Sequence, residues 1–539
     1  MPHSSVAEPT ARAVPTATPS TRGRWPALVV ICVAELLVVL DNTVVNVALP
    51  SLGVQLHASF SGLQWVVDAY TLAFAGLLLA FGHLGDRYGR RKVMMLGLAG
   101  VAVMSLGGAL ATDLVQVIAA RAAMGVFAAA VFPATLALII NIFTDARERT
   151  IAIAAWTAMA GFAIAIGPTA GGWLLEHFSW HSVFWVNVPV ATIVLVLARI
   201  LLPESKAAHT GRLDVIGIAL SLLSVTTLVW TIIEAPHQGW LSPAALAGFI
   251  FAVVCFALFV RWEMRAAAPV LNMNLFRIRR FSLPAVAIAV GYFSMFGFLF
   301  MITQYFQGVM ELSPLQFGLH SLPFAAAIAV GAPLATLIAQ KVGTTAVIVF
   351  GLVVMSIGMF IAGQVKVETQ YVGPVLVSMV LMGLGLAIVQ GPATESIMSS
   401  VALDEAGAGS AVNDTTREAG GTLGVAVLGS IVASVYTTKV GPRIDAIPDF
   451  LMTSNEKSFA RESVIAVLEM AKRPTNPAFA QQKADLIYAM KAASMEGFQL
   501  ASYVTVSASL IVAGAIAIFL PREPAGDSML LVWKRKPKP

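Results

Sequence analysis

The chain has 539 residues, of which 58% are hydrophobic and only 12% charged, with a formal net charge of +5. Soluble domains carry roughly 25% charged residues, so a soluble enzyme or an array of soluble domains is excluded. The positive balance does not mark a nucleic-acid binder, because the lysines and arginines sit between apolar runs and form no basic stripe with interleaved aromatics.

The first two dozen residues are rich in Pro, Ser, Thr and Ala, and Glu8 is their only acid. Without a short apolar core and small-residue cut site they do not read as a signal peptide. A disordered cytoplasmic tail over 1–26 is expected, with a transit peptide as the alternative. From Ala27 to Leu520 apolar runs of about 20 residues recur, each long enough to cross a ~30 Å hydrocarbon core as a helix. They predict about 14 spans, at 27–50, 63–83, 93–111, 114–140, 150–173, 183–202, 213–234, 243–262, 282–306, 315–340, 344–364, 371–393, 407–436 and 499–520. Cys32 and Cys255 fall inside these runs and read as reduced packing residues.

Breaks at 203–213 and 262–281 divide the chain. A six-helix bundle over 27–203, two linker spans over 204–262 and a second six-helix bundle over 263–521 are expected, with a cytoplasmic tail at 522–539. Two six-span halves flanking a midplane cavity are what alternating access requires. Arg87, Arg90, Arg91, Lys92, Arg147, Arg149, Lys206, Arg212, Arg261, Arg265, Arg277, Arg279 and Arg280 all fall on one side if the spans alternate. The short loops of the other side contain only Lys366. The positive-inside rule then puts both termini, including Lys534, Arg535 and Lys536, in the cytoplasm of a cell-membrane protein. The long segment 437–498 would lie outside. Its stretches 455–472 and 477–498 read as amphipathic helices on the membrane surface or over a cavity, with a plain spacer as an equal alternative.

Two stretches carry gating chemistry. Between spans two and three, Gly82-His83-Leu84-Gly85-Asp86-Arg87-Tyr88-Gly89-Arg90-Arg91-Lys92 combines turn-forming glycines, an aspartate beside a helix start and a row of cations. Charge–dipole contacts from such a loop can lock neighbouring helices in one state and release them in another. A topogenic basic loop explains the cations but not the glycines and Asp86. In span five, Ala163, Gly167 and Gly171 are four apart and form a small-residue stripe, with Gly172 beside it and Pro168 removing a backbone hydrogen bond. Ordinary close packing is the competing explanation for the stripe.

The first stretch resembles the G-x-L-x-D-x-x-G-R-K signature of the major facilitator superfamily, with Gly85 where alanine is usual. The second resembles G-x-x-x-G-P-x-x-G-G, which in that superfamily marks proton-coupled exporters, with Ala163 in place of the first glycine. Leu40 to Pro50, Trp65 to Tyr70, Ser179 to Pro189 and Asn413 to Gly421 are similar to the fourteen-span drug:proton antiporters near the quaternary-ammonium-compound exporters. The resemblance implies an all-α integral membrane protein of the major facilitator fold, two six-helix bundles plus two linker spans. It implies export of amphipathic, cationic drugs in exchange for protons, no cofactor beyond the proton gradient, a monomer and a bacterial source.

An Asp at mid-membrane costs about 2.5–3.5 kcal/mol, so one that persists there needs a partner or a role. Asp41 lies deep in span one with Asn42 and Asn46 beside it, and Asp68 lies in the outer part of span two. Both match acidic positions that serve cation recognition or proton coupling in the family. A salt bridge from Asp41 to Arg121 of span four is the structural alternative, compatible with a proton switch because such a pair can break and reform. Asp414 matches a further acidic position, with an intrahelical network to Arg417 and Glu418 as competitor. Glu35 lies about 120° round the helix from Asp41, its partner unreadable from sequence, and Glu395 reads as a solvated acid. Trp65, Tyr70, Trp156, Phe293, Phe296 and Tyr305 are candidate cavity aromatics, although most aromatics in such spans only pack.

No G-x-x-x-x-G-K-[ST] loop supplies ATP chemistry, and His83, His177 and His181 lack metal-ligand spacing. The rival readings are a dedicated exporter of one antibiotic or metabolite, a lipid translocator, a non-transporting membrane sensor and, least supported, a membrane-embedded enzyme.

Overall fold

In the computed structural model, residues 23–206, 213–266, 269, 271–401, 406–447, 452–462, 464–471 and 480–521 are described. Most of the first tail, Arg212 and the final basic tail lie outside them. The described chain is helical, in the order α1 (Arg24–Gln55), α2 (Phe60–Tyr88), α3 (Arg90–Ala109), α4 (Leu114–Ile142), α5 (Ala146–His177), α6 (Ser182–Trp185), α7 (Asn187–Leu201), α8 (Val215–Gln238), α9 (Pro243–Glu263), α10 (Arg279–Gln304), α11 (Pro314–Val342), α12 (Thr344–Ala362), α13 (Leu376–Ser399), α14 (Ala406–Asp445), α15 (Ser454–Glu462), α16 (Val464–Ala471) and α17 (Ala480–Phe519). Among the described residues 14 helical segments are long and apolar enough to cross a membrane. The sixth is α6 running into α7.

The ends of these helices are written locally. Ser59, Asp113, Asp145, Asp214 and Ser242 each accept a hydrogen bond from a backbone N–H of the following first turn. Ser313 and Gln316 form a reciprocal capping box at α11. Such caps contribute about 1 kcal/mol each and fix where the chain leaves a loop.

One difference from the sequence reading concerns 437–498. The stretch 477–498 is not a separate surface helix, since α17 runs unbroken from Ala480 to Phe519, and α14 likewise extends to Asp445. These two helices project past the bundle and hold α15 and α16 between them. Tyr436, Val440, Ile444, Val464, Val467 and Met490 bury one another there, with Val54 of α1 packed against them. Interhelical apolar burial lets the polar half of α17 continue its helix where propensity alone would permit a break.

The helices alternate in direction. Arg24, at the start of α1, pairs with Glu148 at the start of α5 (2.9 Å), and the α12 start meets the α17 end through Thr345 and Pro521. We call the end carrying Arg24 and the Asp86–Arg91 turn the basic end. The bonds tying α1–α7 to α10–α17 lie toward the opposite end. Gln64 donates to the carbonyls of Val425 and Ala426 (both 3.0 Å), Thr422 meets Thr71 (2.9 Å), Thr169 donates to Gly318 and Gln307 to Val47. The linker pair α8–α9 covers the α2–α14 seam from the side, with Val229, Ile232 and Ile233 of α8 against Leu72 and Ala426. The outer face of α9 exposes Ile250, Phe251, Val253, Val254, Phe256 and Leu258, as a lipid-facing helix does.

Candidate functional site

Asp41 of α1 sits at the centre of a polar network enclosed by five helices. Its Oδ2 accepts from Arg121 of α4 at 2.5 Å, and its Oδ1 accepts from the amide of Asn187, at the start of α7, at 2.6 Å. Asn187 also donates to Ser105 of α3 (3.1 Å). Arg121 donates through Nε to the Val66 carbonyl of α2 (3.1 Å), and its guanidinium lies 4.1 Å from the Tyr70 ring centroid. Tyr70 in turn donates to the Val38 carbonyl. Arg121 and Asp41 are 0% and 3% exposed, so this is an ion pair removed from water. A buried pair survives only when additional contacts compensate lost hydration, and Asn187 and Val66 supply hydrogen bonds while the Tyr70 ring supplies a cation–π contact.

The other expected polar neighbours of Asp41 do not join it. Asn46 donates to the Asn42 carbonyl one turn back (2.8 Å), and the Asn42 side-chain oxygen has no partner among the described residues. Successive helical positions are about 100° apart, which turns Asn42 away from the Arg121 side. Asn187 takes that place, and sequence reasoning did not single it out. The available signal was one amide at the head of an otherwise apolar span.

Asp68 sits on the face of α2 that also carries Gln64 and Thr71, and thus in the seam with α14. It is 0% exposed, and among the described residues neither carboxylate oxygen has a hydrogen-bond partner. Asp414 of α14 contacts Arg417 at 3.5 Å and Asn413 at 3.4 Å. The Arg417 guanidinium lies 4.7 Å from the Tyr292 ring of α10. Glu395 is exposed near the end of α13. Of the aromatics, Trp156 donates to Thr135 and Tyr305 donates to the Thr369 carbonyl. Trp65 packs against the α8 cluster, while Phe293 and Phe296 lie where α10 crosses the α14 glycines Gly424 and Gly421. Only Tyr70 joins the charged network.

At the basic end, Arg90 donates from Nε and a terminal nitrogen to Asp86 (2.9 and 2.8 Å) and reaches the Ala137 carbonyl of α4. Arg91 binds the Leu202 carbonyl (2.9 Å) and its backbone N–H donates to Glu204 (3.1 Å). Gly89 has φ +118°, a conformation costly for other residues, and a side chain there would collide with Glu204. Arg87 is exposed over Tyr88. These contacts are ion pairs and carbonyl caps within α1–α7 and the strand of chain that follows, rather than a tie to the other half. Glu204, like Asn187, escaped the sequence reading.

The small residues of α5 serve two helices. A side chain on Gly167 would overlap Thr43 of α1, whose hydroxyl lies 3.5 Å from the Ala163 carbonyl, and one on Gly171 would crowd Val44. Gly172 faces Pro314 and Leu315 of α11, and Gly318 of α11 faces the Pro168 carbonyl. This α5–α11 contact is the second seam between the halves. Gly82 faces Pro133 of α4 at ordinary distance.

A bundle of two halves whose hydrogen-bonded ties lie toward one end, with ionisable groups buried in its interior and on its seam, defines a secondary transporter. Residues 31–425 match the family model of the Major Facilitator Superfamily, and the chain belongs to that family. It is 37% identical over 457 residues to the multidrug efflux pump LfrA of Mycolicibacterium smegmatis, covering 85% of this chain and 90% of that protein. It is 32% identical over 504 residues to the tetracenomycin C resistance and export protein of Streptomyces glaucescens, covering 92% of both. Among solved structures, a bacterial homologue of the lysosomal transporter Spinster, inward-facing and unoccupied, aligns with a TM-score of 0.59 at 14% identity, over 92% of this chain and 98% of that one.

Proposed function

We propose that the chain exports amphipathic, cationic drugs or antibiotics across a bacterial cell membrane, driven by inward proton flow, with the basic end in the cytoplasm. Asp41 is the proton-coupling carboxylate and Asp68 and Asp414 assist coupling or recognition. Resistance and efflux relatives support the cargo class. The observation that carries the coupling role is the buried Asp41–Arg121–Asn187 network. Protonating Asp41 removes the attraction to Arg121 and frees α1 relative to α4, while deprotonation restores it. A pair exchanging between these states converts a proton into helix movement. Each entering proton supplies about 1.4 kcal/mol per pH unit of gradient, and the membrane potential adds about 2.3 kcal/mol per 100 mV for each net charge carried inward, a source of work that needs no ATP.

The test uses the purified full chain in proteoliposomes with an imposed pH gradient and several unrelated lipophilic cations. Asp41→Asn, which keeps side-chain volume and an oxygen facing Arg121, should insert and fold but lose gradient-driven flux entirely. Undiminished flux in that variant removes Asp41 from the mechanism. A wild-type protein moving only one compound would replace the multidrug reading by that of a dedicated exporter.

A further inference from the structure

The α2–α14 seam is tied at two levels, and the spacing of the ties matches on both helices. Thr71 meets Thr422 (2.9 Å), and seven residues away on each helix Gln64 faces Gly429. Seven residues span about 10.5 Å of helix, so the two antiparallel faces stay in register, with Asp68 on the strip between the ties. Gln64 is 0% exposed, and its Nε2 donates to the carbonyls of both Val425 and Ala426 (3.0 Å each). Two carbonyls can only accept, which fixes the amide nitrogen toward α14. Gly429 forms the socket: a Cβ there would lie 2.5 Å from that nitrogen and 2.9 Å from the amide carbon. Val229, Ile232 and Ile233 of α8 close the seam from the side, beside Leu72 and Ala426.

The far face of α14 is committed to its own half. A side chain on Gly420 or Gly424 would overlap the Ala289 or Phe293 backbone of α10, so α14 travels with α10 and its α2 face is where the halves part. The amide takes no bond from α14, because Val425 and Ala426 lie inside a continuous helix and keep their own bonds to the following turn. Its two bonds are given up only when the seam opens, and a hydrogen bond shielded from water is stronger than one in water. We infer that Gln64 is a positioning residue of the transport cycle, an uncharged latch seated in the Gly429 socket that holds the end away from Arg24 shut. An amide does not titrate, so the latch sets a constant bias toward closure, against which Asp68, one turn along α2, acts.

The test needs neither cargo nor a gradient, so it stands or falls apart from the efflux reading. Double electron–electron resonance between nitroxides at the α2 start and on α14 beyond Gly429 measures the open-to-closed ratio of the purified full chain in lipid nanodiscs. Gln64→Met keeps an unbranched side chain of similar size without a donor. It should raise the ratio about tenfold, the size of one or two net hydrogen bonds, while the melting temperature moves by about 2 °C or less. Gly429→Ala should open the seam by a similar factor by expelling the amide, although alanine favours the α14 helix over glycine. In Gln64→Ala, where that space is vacant, adding Gly429→Ala should have no further effect. A wild-type ratio in Gln64→Met overturns the assignment. Equal opening by Gly429→Ala in both backgrounds also overturns it, and places Gly429 against the Phe300 ring, 3.2 Å from its Cβ position, as a packing residue. Loss of folding in Gln64→Met with a wild-type ratio in Gly429→Ala assigns Gln64 to packing and overturns it as well.

Discussion

Asp41 and Asp68 are both aspartates buried in the membrane interior, yet their surroundings are opposite. Asp41 is bonded on both oxygens, by groups from α4 and α7 that belong to its own half. Asp68 is fully buried at the seam with α14, and no described residue bonds to either of its oxygens. The difference separates two uses of charge in a two-body machine. Charges satisfied within one body hold that body together and can switch it internally. Charges left unsatisfied between bodies oppose the contact in which they are buried, and reward its opening or their own protonation.

The largest effect that can break this comparison is on stability. Asp41→Leu strands a guanidinium that cannot give up its proton, and removing one partner of a buried pair costs about 3–5 kcal/mol. Arg121→Leu should cost less, because the remaining carboxyl can neutralise itself by binding a proton. Melting of the detergent-purified variants by intrinsic fluorescence checks the order. If Arg121→Leu melts below Asp41→Leu, the pocket is held by the arginine's bonds to Val66 and Tyr70 rather than by the pair.

A smaller effect sharpens the other side. Asp68→Asn removes charge from a dry seam and deletes no bond seen in this state. It should leave the melting temperature unchanged or raise it by about 1 °C, equivalent to ~1 kcal/mol in a protein this large. Double electron–electron resonance between labels across the α2–α14 seam should show a larger fraction of molecules closed at the end away from Arg24. A loss of stability as large as that of Asp41→Leu would mean that Asp68 has a strong partner and that the contrast is false.

How much of this was legible before the structure follows the same division. Span number and the small-residue stripe are properties of single helices, and periodicity, length and caps report them. Asn187 and Glu204 were missed because their importance lies entirely in what they touch, Asp41 146 positions earlier and the N–H of Arg91 113 positions earlier. Asn42 and Asn46 show the converse, since neither bonds to Asp41. Proximity in sequence put them beside Asp41, but helical geometry turned them elsewhere. The 40-residue length of α17 was also hidden, since its first half is polar enough to end a span and is kept helical by α14 and α16.

The smallest predicted effect concerns the far end, where charge sits in water. Tyr488 of α17 donates to Glu368, in the turn between α12 and α13, at 2.5 Å, and that bond holds the Glu368 carboxyl below its ordinary value of 4.5. Nearby, Lys491 pairs with Glu311 and with the Val309 carbonyl. Because the folded value of Glu368 is depressed, the contact contributes fully above the unfolded value and is lost as pH falls through the folded one. Its contribution is therefore present at neutral pH and declines as pH falls below 4.5. Glu368 is fully exposed, so Tyr488→Phe should shift the melting temperature at pH 7 by about 1 °C or less. The variant and wild type should converge once the pH falls below the depressed folded value of Glu368. A shift of several degrees at pH 7 would mean that the polar half of α17 depends on this tether rather than on the apolar cluster of Tyr436, Val464 and Met490. The rule that unshielded rim charges contribute little would then fail at this end of the molecule.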